Sequence, residues 1–387
     1  MLLSVALLDE LASGVPPNGS PDLLHDFHVS PALAAGWTLV AMQLLGALEA
    51  PLFALTARWP RRSLLAAAQL AMAATCLWAA AASSHWMLLA ALLLYGPATG
   101  IACGTAQAAL VDAAPRDGER TLSRWALYQS MGDLAAPLLL AGLALIGSGW
   151  RAAFVVAAAV ALVQAVLVRG GPRLPQPAPS SLEEAAGPDR GGLRTAILWC
   201  GAGVLCTLMD EALVSFGALH LEALGATAVQ RGVAFGAATL SAIGALAVVE
   251  RIPARLGGIR LLLVASGGCA GVFAGCILTS SLPVCVALLA FTFALAAPLH
   301  PVVSAQAFAA LPGRSTLVNI VNSTMATVEL AIPLLLGAVA DRFGVRAALA
   351  AMILEPLALF AVAAVALVRA RRRPSRRSAS RGASPTA

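Results

Sequence analysis

Eight acidic side chains lie within long apolar runs of this sequence, where an ionised group is costly. Seven of them are candidate functional residues: Asp9, Glu10, Glu49, Asp133, Asp210, Glu211 and Glu329. Removal from water favours the protonated form of a carboxyl group, so such residues can take up and release protons as their surroundings change. We therefore predict that they carry protons or bind a solute. The alternative is that some of them, Asp9 and Asp210 in particular, hold helices in place through hydrogen bonds.

Other polar side chains in apolar runs are candidates for lining a solute pathway. They are Gln43, Gln107, His300, Gln306, Asn319 and Asn322. His300 lies between two prolines, and it either contacts a solute or a proton or makes a hydrogen bond inside the protein. Glu355 is interpreted as a packing or helix-end group.

The segments that carry these residues are too apolar for a water-soluble globule. The chain has 387 residues, of which 59% are hydrophobic and 11% charged, and its mean hydropathy is +0.84. Soluble proteins carry about 25% charged residues. A helix that crosses a membrane needs about 20 apolar residues, and the sequence contains about twelve such runs. The predicted fold class is an all-α polytopic membrane protein.

The apolar runs form two groups of about six, separated by a segment rich in Pro, Gly and Ser. We predict a first bundle over residues 1–168, a cytoplasmic linker over 169–194, a second bundle over 195–368 and a basic, disordered tail over 369–387. The first span is placed at residues 1–16, followed by an outer loop to residue 31. Because only eight residues precede Asp9, the native start is expected upstream of Met1.

The positions of the arginines predict the orientation in the membrane. All 25 basic residues are arginines, and 21 of them fall on one side if the N-terminus is cytoplasmic, against Arg151, Arg231, Arg342 and Arg346 on the other. This excess predicts that both termini face the cytoplasm. The expected location is a bacterial inner membrane. Five residues of the cytoplasmic loops are candidates for gating: Arg58, Arg61, Arg62, Asp112 and Arg116.

The two halves of the sequence repeat one another. LLDELASGV at 7–15 matches LMDEALVSF at 208–216, and DLAAPLLLAG at 133–142 matches ELAIPLLLGA at 329–338. AQAALVDAAPR at 106–116 also matches AQAFAALPGR at 305–314. Internal repeats of this length are typical of secondary transporters. The repeat pairs Asp9 with Asp210, Glu10 with Glu211, Asp133 with Glu329 and Gln107 with Gln306.

Two segments resemble the major facilitator superfamily. LVDAAPRDGERTLSRWALYQSMGDLAAPLLL, followed by GWRAAF, is similar to helices 4 and 5 of that family, and ALPGRSTLVNIVNS with PLLLGAVADRFGVRAAL is similar to helices 10 to 12. The resemblance implies two six-helix bundles related by a pseudo-twofold axis, a central cavity and alternating access by rocking. The helix 5 signature of proton antiporters survives only as Gly132, Pro137 and Gly142, and the loop 2–3 motif has Ala57 and Pro60 where the family has Asp and Gly.

The leading hypothesis is a proton-coupled secondary transporter that exports a small organic molecule, neutral or cationic because the intramembrane charges are acidic. Proton-coupled uptake and a non-transporting membrane receptor or assembly protein are the alternatives. The sequence has no P-loop, GxSxG, HExxH or paired zinc cysteines, so no enzymatic activity, cofactor or metal is expected. The expected partners are the solute, protons and the lipid bilayer, without nucleic acid, and the protein is expected to be a monomer.

Overall fold

The computed structural model describes residues 1–45, 59–113, 118–171, 174, 190–249, 257–311, 318, 321, 324–325 and 328–372. Within these ranges every regular element is a helix, as predicted. The first half contains α1 (Leu3–Ser13), α2 (Val15–Asn18), α3 (Ser20–Phe27), a π-helix (Ala32–Trp37), α4 (Thr38–Leu44), α5 (Arg61–Ala80), α6 (His85–Ala113), α7 (Gly118–Leu145) and α8 (Trp150–Gly170). The second half contains α9 (Arg190–Leu205), a 3₁₀ turn (Cys206–Met209), α10 (Glu211–Ala223), α11 (Ala228–Val249), α12 (Gly258–Leu278), α13 (Leu282–Ala296), α14 (Leu299–Ala310), α15 (Ala331–Phe343), α16 (Val345–Met352) and α17 (Leu354–Arg372).

The helices are long and apolar enough for a membrane. By length and composition, seven helical stretches of the described chain could each cross one, and two shorter apolar stretches occur at Ala32–Leu44 and Gly191–Leu205. Large apolar side chains point away from the protein, with Val264, Val166 and Leu198 at least 70% exposed. Such a surface is stable against lipid and not against water. The structure confirms the predicted polytopic all-α class.

The predicted end of the first span is wrong. Instead of a loop after residue 16, α1, α2 and α3 follow one another to Phe27, separated only by Gly14 and Gly19. Gly14 has helical dihedral angles (φ −72°, ψ −15°). The prolines that follow lie in the first turns of α2 and α3. A backbone N–H in a first turn has no partner within the helix, so the proline, which lacks that N–H, removes no helical hydrogen bond. Ser20 is buried and donates to the carbonyl oxygen of Pro17 at 3.0 Å, so its polarity is satisfied inside the helix.

Two bundles form around separate apolar cores. In the first, α5 packs against α6 and α8, and α1 packs against α7, with Trp150 and Phe154 fully buried among them. In the second, α12 packs against α13 and α17, while α9 packs against α14. Phe216, Phe235 and Phe273 fill its centre.

The bundles meet along two seams at one end of the molecule. In the first seam, the π-helix packs against α15, where a Cβ atom on Gly36 would lie 2.6 Å from the carbonyl oxygen of Pro333. In the second, α7 packs against α11, where a Cβ atom on Gly236 would lie 2.8 Å from a methyl carbon of Leu138. Glycine permits this close approach. We call this end, which also carries Arg231, the closed end.

Replacing Gly232 with Leu is expected to force the closed end apart. A Cβ atom there would collide with the carbonyl oxygen of Pro137 and would lie 2.7 Å from Cβ of Ala141, and overpacking of this kind costs about 1–3 kcal/mol. The readout is labelling of an Ala144→Cys reporter, in the small cavity between the bundles at this end, in a background without the native cysteines. A membrane-impermeant maleimide should react roughly tenfold faster in the Leu variant.

The matched control is Gly142→Leu on α7, because no atom lies within 4 Å of the Cβ position of Gly142. This variant should label at the rate of the parent. Equal labelling of all three proteins would show that the α7–α11 contact does not hold the closed end together.

Candidate functional site

A cavity of about 320 Å³ lies between the two bundles. Its walls are mainly α1, α7, the segment around Asp210, α10, α11 and α13. The apolar part of the lining includes Val214, Phe235, Ile243 and Leu246. The titratable lining residues that the structure describes are five acids, one imidazole and one thiol: Glu10, Asp133, Asp210, Glu211, Glu355, His300 and Cys206. No arginine is among the described lining residues, so this part of the cavity wall has an acidic character.

Asp133 and Asp210 are the two acids of the cavity whose side chains are exposed to it. Asp133 belongs to the first bundle and lies on α7, one turn before Pro137, which interrupts the hydrogen-bond ladder of the helix. Asp210 belongs to the second bundle. The solute space is therefore bordered by one exposed carboxyl group from each half of the molecule.

A helix break exposes Asp210. α9 ends at Leu205, the chain tightens into the 3₁₀ turn, and Asp210 adopts non-helical angles (φ −116°, ψ −123°) before α10 begins. In the first half, α1 runs through Asp9 without interruption. Broken helices in a membrane place polar backbone and side-chain groups beside a cavity, which explains why the equivalent residues of the repeat have different surroundings.

Glu355 stabilises the broken segment from α17. Its side chain is 1% exposed, and its Oε2 atom accepts a hydrogen bond of 2.8 Å from the backbone N–H of Met209. The break frees backbone groups from the helical ladder, and a buried N–H without a partner is costly. Glu355 satisfies one of them, which agrees with its interpretation as a helix-end group.

Replacing Glu355 with Leu is expected to destabilise the protein by about 1–3 kcal/mol, because the N–H of Met209 loses its acceptor inside the protein. Glu355→Gln keeps an acceptor oxygen and a similar volume, so it is the matched control. Thermal unfolding in detergent, followed by tryptophan fluorescence, compares the two. If the Leu variant unfolds at or above the temperature of the Gln variant, the contact does not stabilise the break.

Glu10 and Glu211 each receive a hydrogen bond from a glutamine. Gln129 Nε2 donates to Glu10 Oε1 at 2.7 Å within the first bundle. Gln43 Nε2, on α4, donates to Glu211 Oε2 at 3.0 Å, and this bond joins the two bundles beside the cavity. Gln43, predicted to line the cavity, is not among its described lining residues and instead contacts Glu211, which is. Gln129 was missed because a single glutamine among polar neighbours gives no sequence signal.

Asp9 bonds within the first bundle and is not among the lining residues of the cavity. Its carboxylate accepts hydrogen bonds from Tyr95 at 3.3 Å, from Thr99 and from Cys103 at 3.2 Å. The three donors lie at four-residue intervals and therefore on one face of α6. That spacing of polar groups in an apolar run is a signal from which they could have been found.

The remaining candidates lie elsewhere or outside the described residues. Glu329 is half-buried just before α15 and does not line the cavity, Gln107 lies on α6, and the amide of Gln306 lies against Gly258. Arg61 and Arg62 begin α5. Asp112 belongs to α6, but its side chain is outside the described part, as are the whole residues Glu49, Arg58, Arg116, Asn319 and Asn322.

A buried arginine joins the bundles at the closed end. Arg231, at the start of α11, is 5% exposed, and its guanidinium donates to Asp22 of α3 at 2.8 Å and to Glu222 of α10 at 3.2 Å. Glu222 also contacts Nε2 of His25 at 3.2 Å. An ion pair from Arg231 and a histidine–carboxyl contact from Glu222 therefore run from the second bundle to α3 of the first. The sequence indicated Arg231 only as one of four arginines that set the orientation, and this role was missed.

The seam between the π-helix and α15 is reinforced by a hydrogen bond from the backbone to a side chain. The N–H of Ala32, at the start of the π-helix, donates to Oδ1 of Asp341 on α15 at 2.9 Å. Ala35 and Leu39 of the first bundle pack into the core of the second. Polar and apolar contacts thus hold the bundles together on one side of the cavity.

A second cavity of about 330 Å³ adjoins the first at His300, which lines both. It lies between α9 and α14 and is lined by apolar side chains that include Trp199, Val303 and Phe308. An acidic space and an apolar space therefore meet at one imidazole. This arrangement could accommodate a molecule that has a polar group and an apolar body.

Solved transporter structures have the same fold. A bacterial homologue of the human lysosomal transporter Spinster, in an inward-facing and unoccupied conformation, superposes with a TM-score of 0.75 at 17% identity, covering 97% of this chain and 98% of that one. The nucleoside transporter NupG gives 0.74 at 14% identity, with coverage of 96% and 98%. The human organic anion transporter MFSD10 gives 0.64 at 18%, with coverage of 94% and 97%. Identities this low concern the fold alone.

The family follows from the sequence match. No curated protein sequence matches the chain. The model of the Major Facilitator Superfamily matches residues 2–328, which is most of the chain. The fold and the match together identify a multi-pass secondary transporter of a small molecule rather than an enzyme. The chain belongs to the Major Facilitator Superfamily.

Proposed function

We propose that this protein couples the inward movement of protons to the export of a small organic molecule that is cationic or neutral. The observation that carries the proposal is the central cavity, where the lining residues within the described ranges include five acids and no arginine. An anion entering this space would meet like charges in a low-dielectric environment, which is unfavourable by several kcal/mol. A cation or a proton would replace water around the carboxylates.

Asp133 and Asp210 are the proposed coupling residues because their carboxyl groups are exposed to the cavity from opposite bundles. When the cavity is empty and faces the side with more protons, both groups take up protons. A bound cation competes with those protons for the same carboxylates. Exchange between the two occupants is what proton antiport requires.

The adjoining apolar cavity supports a solute with an apolar body. Trp199 and Phe308 offer aromatic surface next to His300, and His300 separates this surface from the acids. We propose that the cationic or neutral polar group lies among the acids while the apolar part lies against the aromatic side chains.

The proposed orientation places both termini in the cytoplasm of a bacterial inner membrane and the closed end outside. Of the 25 arginines, the sequence predicts 21 on the side opposite the closed end and four on the side of the closed end. The positive-inside rule assigns the side with more arginines to the cytoplasm. The cavity extends from Pro17 near the closed end toward Leu246. In this orientation an exported solute would enter the cavity from the cytoplasmic side.

The experiment is flux in proteoliposomes with an acidic interior and a panel of permanently charged quaternary ammonium ions, since weak bases would accumulate without a carrier. Antiport predicts that a transported ion accumulates while the internal pH rises, and that an ionophore that collapses the pH gradient stops it. Accumulation only with an acidic exterior would show symport. No flux of charged or neutral compounds would favour a non-transporting receptor.

A further inference from the structure

Two cysteines contact each other where α12 and α13 meet. Cys276 lies two residues before the end of α12, Cys285 lies in the first turn of α13, and a short turn joins the helices. The two sulfur atoms are 3.3 Å apart, and Cys276 Sγ is also 3.6 Å from the carbonyl oxygen of Cys285. Neither thiol contributes to the cavity.

The pair lies at the closed end of the second bundle. Arg346, which follows α15 at that end, donates a hydrogen bond of 2.7 Å to the carbonyl oxygen of Ile277, next to Cys276. Leu349 and Met352 of α16 pack in the same core as both cysteines. Cys276 is 4% and Cys285 is 1% exposed, so the folded protein covers both sulfur atoms.

We propose that Cys276 and Cys285 are joined by a disulfide bond that fastens the outer ends of α12 and α13. A disulfide needs about 2.05 Å between sulfur atoms, so the thiols need to approach by only about 1.3 Å, which rotation about the Cα–Cβ bonds can supply. Disulfides form in oxidising compartments outside the cytoplasm. The inference rests on the proposed orientation, in which the closed end faces such a compartment.

The burial of the sulfur atoms indicates when the bond forms. A disulfide-bearing oxidant must reach them before α12 and α13 pack against α16. One cysteine thiolate attacks the oxidant and forms a mixed disulfide, and the second thiolate then displaces the oxidant. The two thiols lose two protons and two electrons, and the oxidant becomes a dithiol. Once the core closes, reductants no longer reach the bond.

The test counts free thiols in protein from native membranes. Membranes are quenched with acid, denatured in detergent and treated with a maleimide polymer that adds a visible mass per thiol, before and after reduction. The chain has seven cysteines. We expect the label count to be lower by two before reduction than after it, and the intact unreduced protein to be about 2 Da lighter than the reduced one.

Two variants identify the pair. Cys276→Ser frees Cys285, so all of its remaining thiols should label without reduction, one more than in the parent. Cys269→Ser, on the same helix, is the matched control and should keep the two-label difference. The proposal is overturned if the parent labels fully before reduction, if Cys276→Ser keeps a two-label difference, or if the unreduced protein runs as a covalent dimer.

Failure of this proposal is distinguishable from failure of proton-coupled export. The label count does not depend on transport, and the flux measurement does not depend on the cysteines. A reporter enzyme that is active only outside the cytoplasm, fused at Ser280 in the exposed turn, tests the orientation on its own. An inactive fusion would overturn both the orientation and the disulfide.

Discussion

Replacing Asp210 or Asp133 with Asn is expected to reduce the initial rate of proton-driven accumulation at least about tenfold, which corresponds to about 1.4 kcal/mol. Both carboxyl groups are exposed to the cavity, and each belongs to a different bundle. An amide has similar size and hydrogen-bonding capacity, but it cannot exchange a proton. The coupling is lost while the cavity keeps its shape. The measurement is accumulation of a transported quaternary ammonium ion in proteoliposomes with an acidic interior.

Exchange at equal pH on both sides of the membrane separates coupling from binding. Each single variant should still exchange labelled for unlabelled solute at a raised solute concentration, because the other cavity carboxyl group remains to bind the cation and exchange needs no net proton transfer. Asp26→Asn is the matched control, since Asp26 is an exposed acid outside the cavity that pairs with Arg151 in its own bundle and contributes little. If both cavity variants accumulate solute at the rate of the Asp26 variant, neither acid couples transport to protons.

Replacing Arg231 with Leu is expected to shift the protein toward a form in which the bundles separate at the closed end. The guanidinium neutralises Asp22 of one bundle and Glu222 of the other. Without it, two acids face each other across the seam. Breaking a fully buried pair costs about 3–5 kcal/mol, but both acids are partly exposed. We therefore expect about 1–2 kcal/mol, or roughly five- to thirtyfold faster labelling of the Ala144→Cys reporter.

Two further variants make this result specific. Arg151→Leu removes a closed-end arginine whose partner, Asp26, belongs to the same bundle, so it should leave the labelling rate unchanged. Arg231→Lys keeps the charge and should restore much of the parental rate. Equal rates for Arg231→Leu and Arg151→Leu would mean that the ion pairs do not close this end.

The sequence predicted the helical class well because lipid imposes a simple condition on composition and length. It failed at the end of the first span, where Pro16, Pro17 and Ser20 look like loop residues. Their backbone and side-chain groups are compatible with successive helical first turns, and a pattern of residue types does not distinguish a proline that begins a helix from one that ends it.

The site was predictable in residue type but not in arrangement. The repeat pairs Asp9 with Asp210, yet only Asp210 lines the cavity. Asp210 and Asp9 differ in position because each has its own long-range partners. Glu355 holds Met209, beside Asp210, from 146 positions away, and three side chains on one face of α6 donate hydrogen bonds to Asp9. Arg231 and Asp22 are separated by 209 positions. Contacts at such distances depend on how the helices pack, which the local sequence does not encode.

The interruption between α9 and α10 makes the two duplicated halves different in backbone as well as in sequence. α1 keeps its hydrogen-bond ladder through Asp9, whereas the 3₁₀ turn breaks the equivalent ladder of the second half just before Asp210, which lines the cavity. An interrupted ladder is a point at which a helix bends. The repeat that pairs Asp9 with Asp210 therefore has a pliable joint beside the cavity in its second copy.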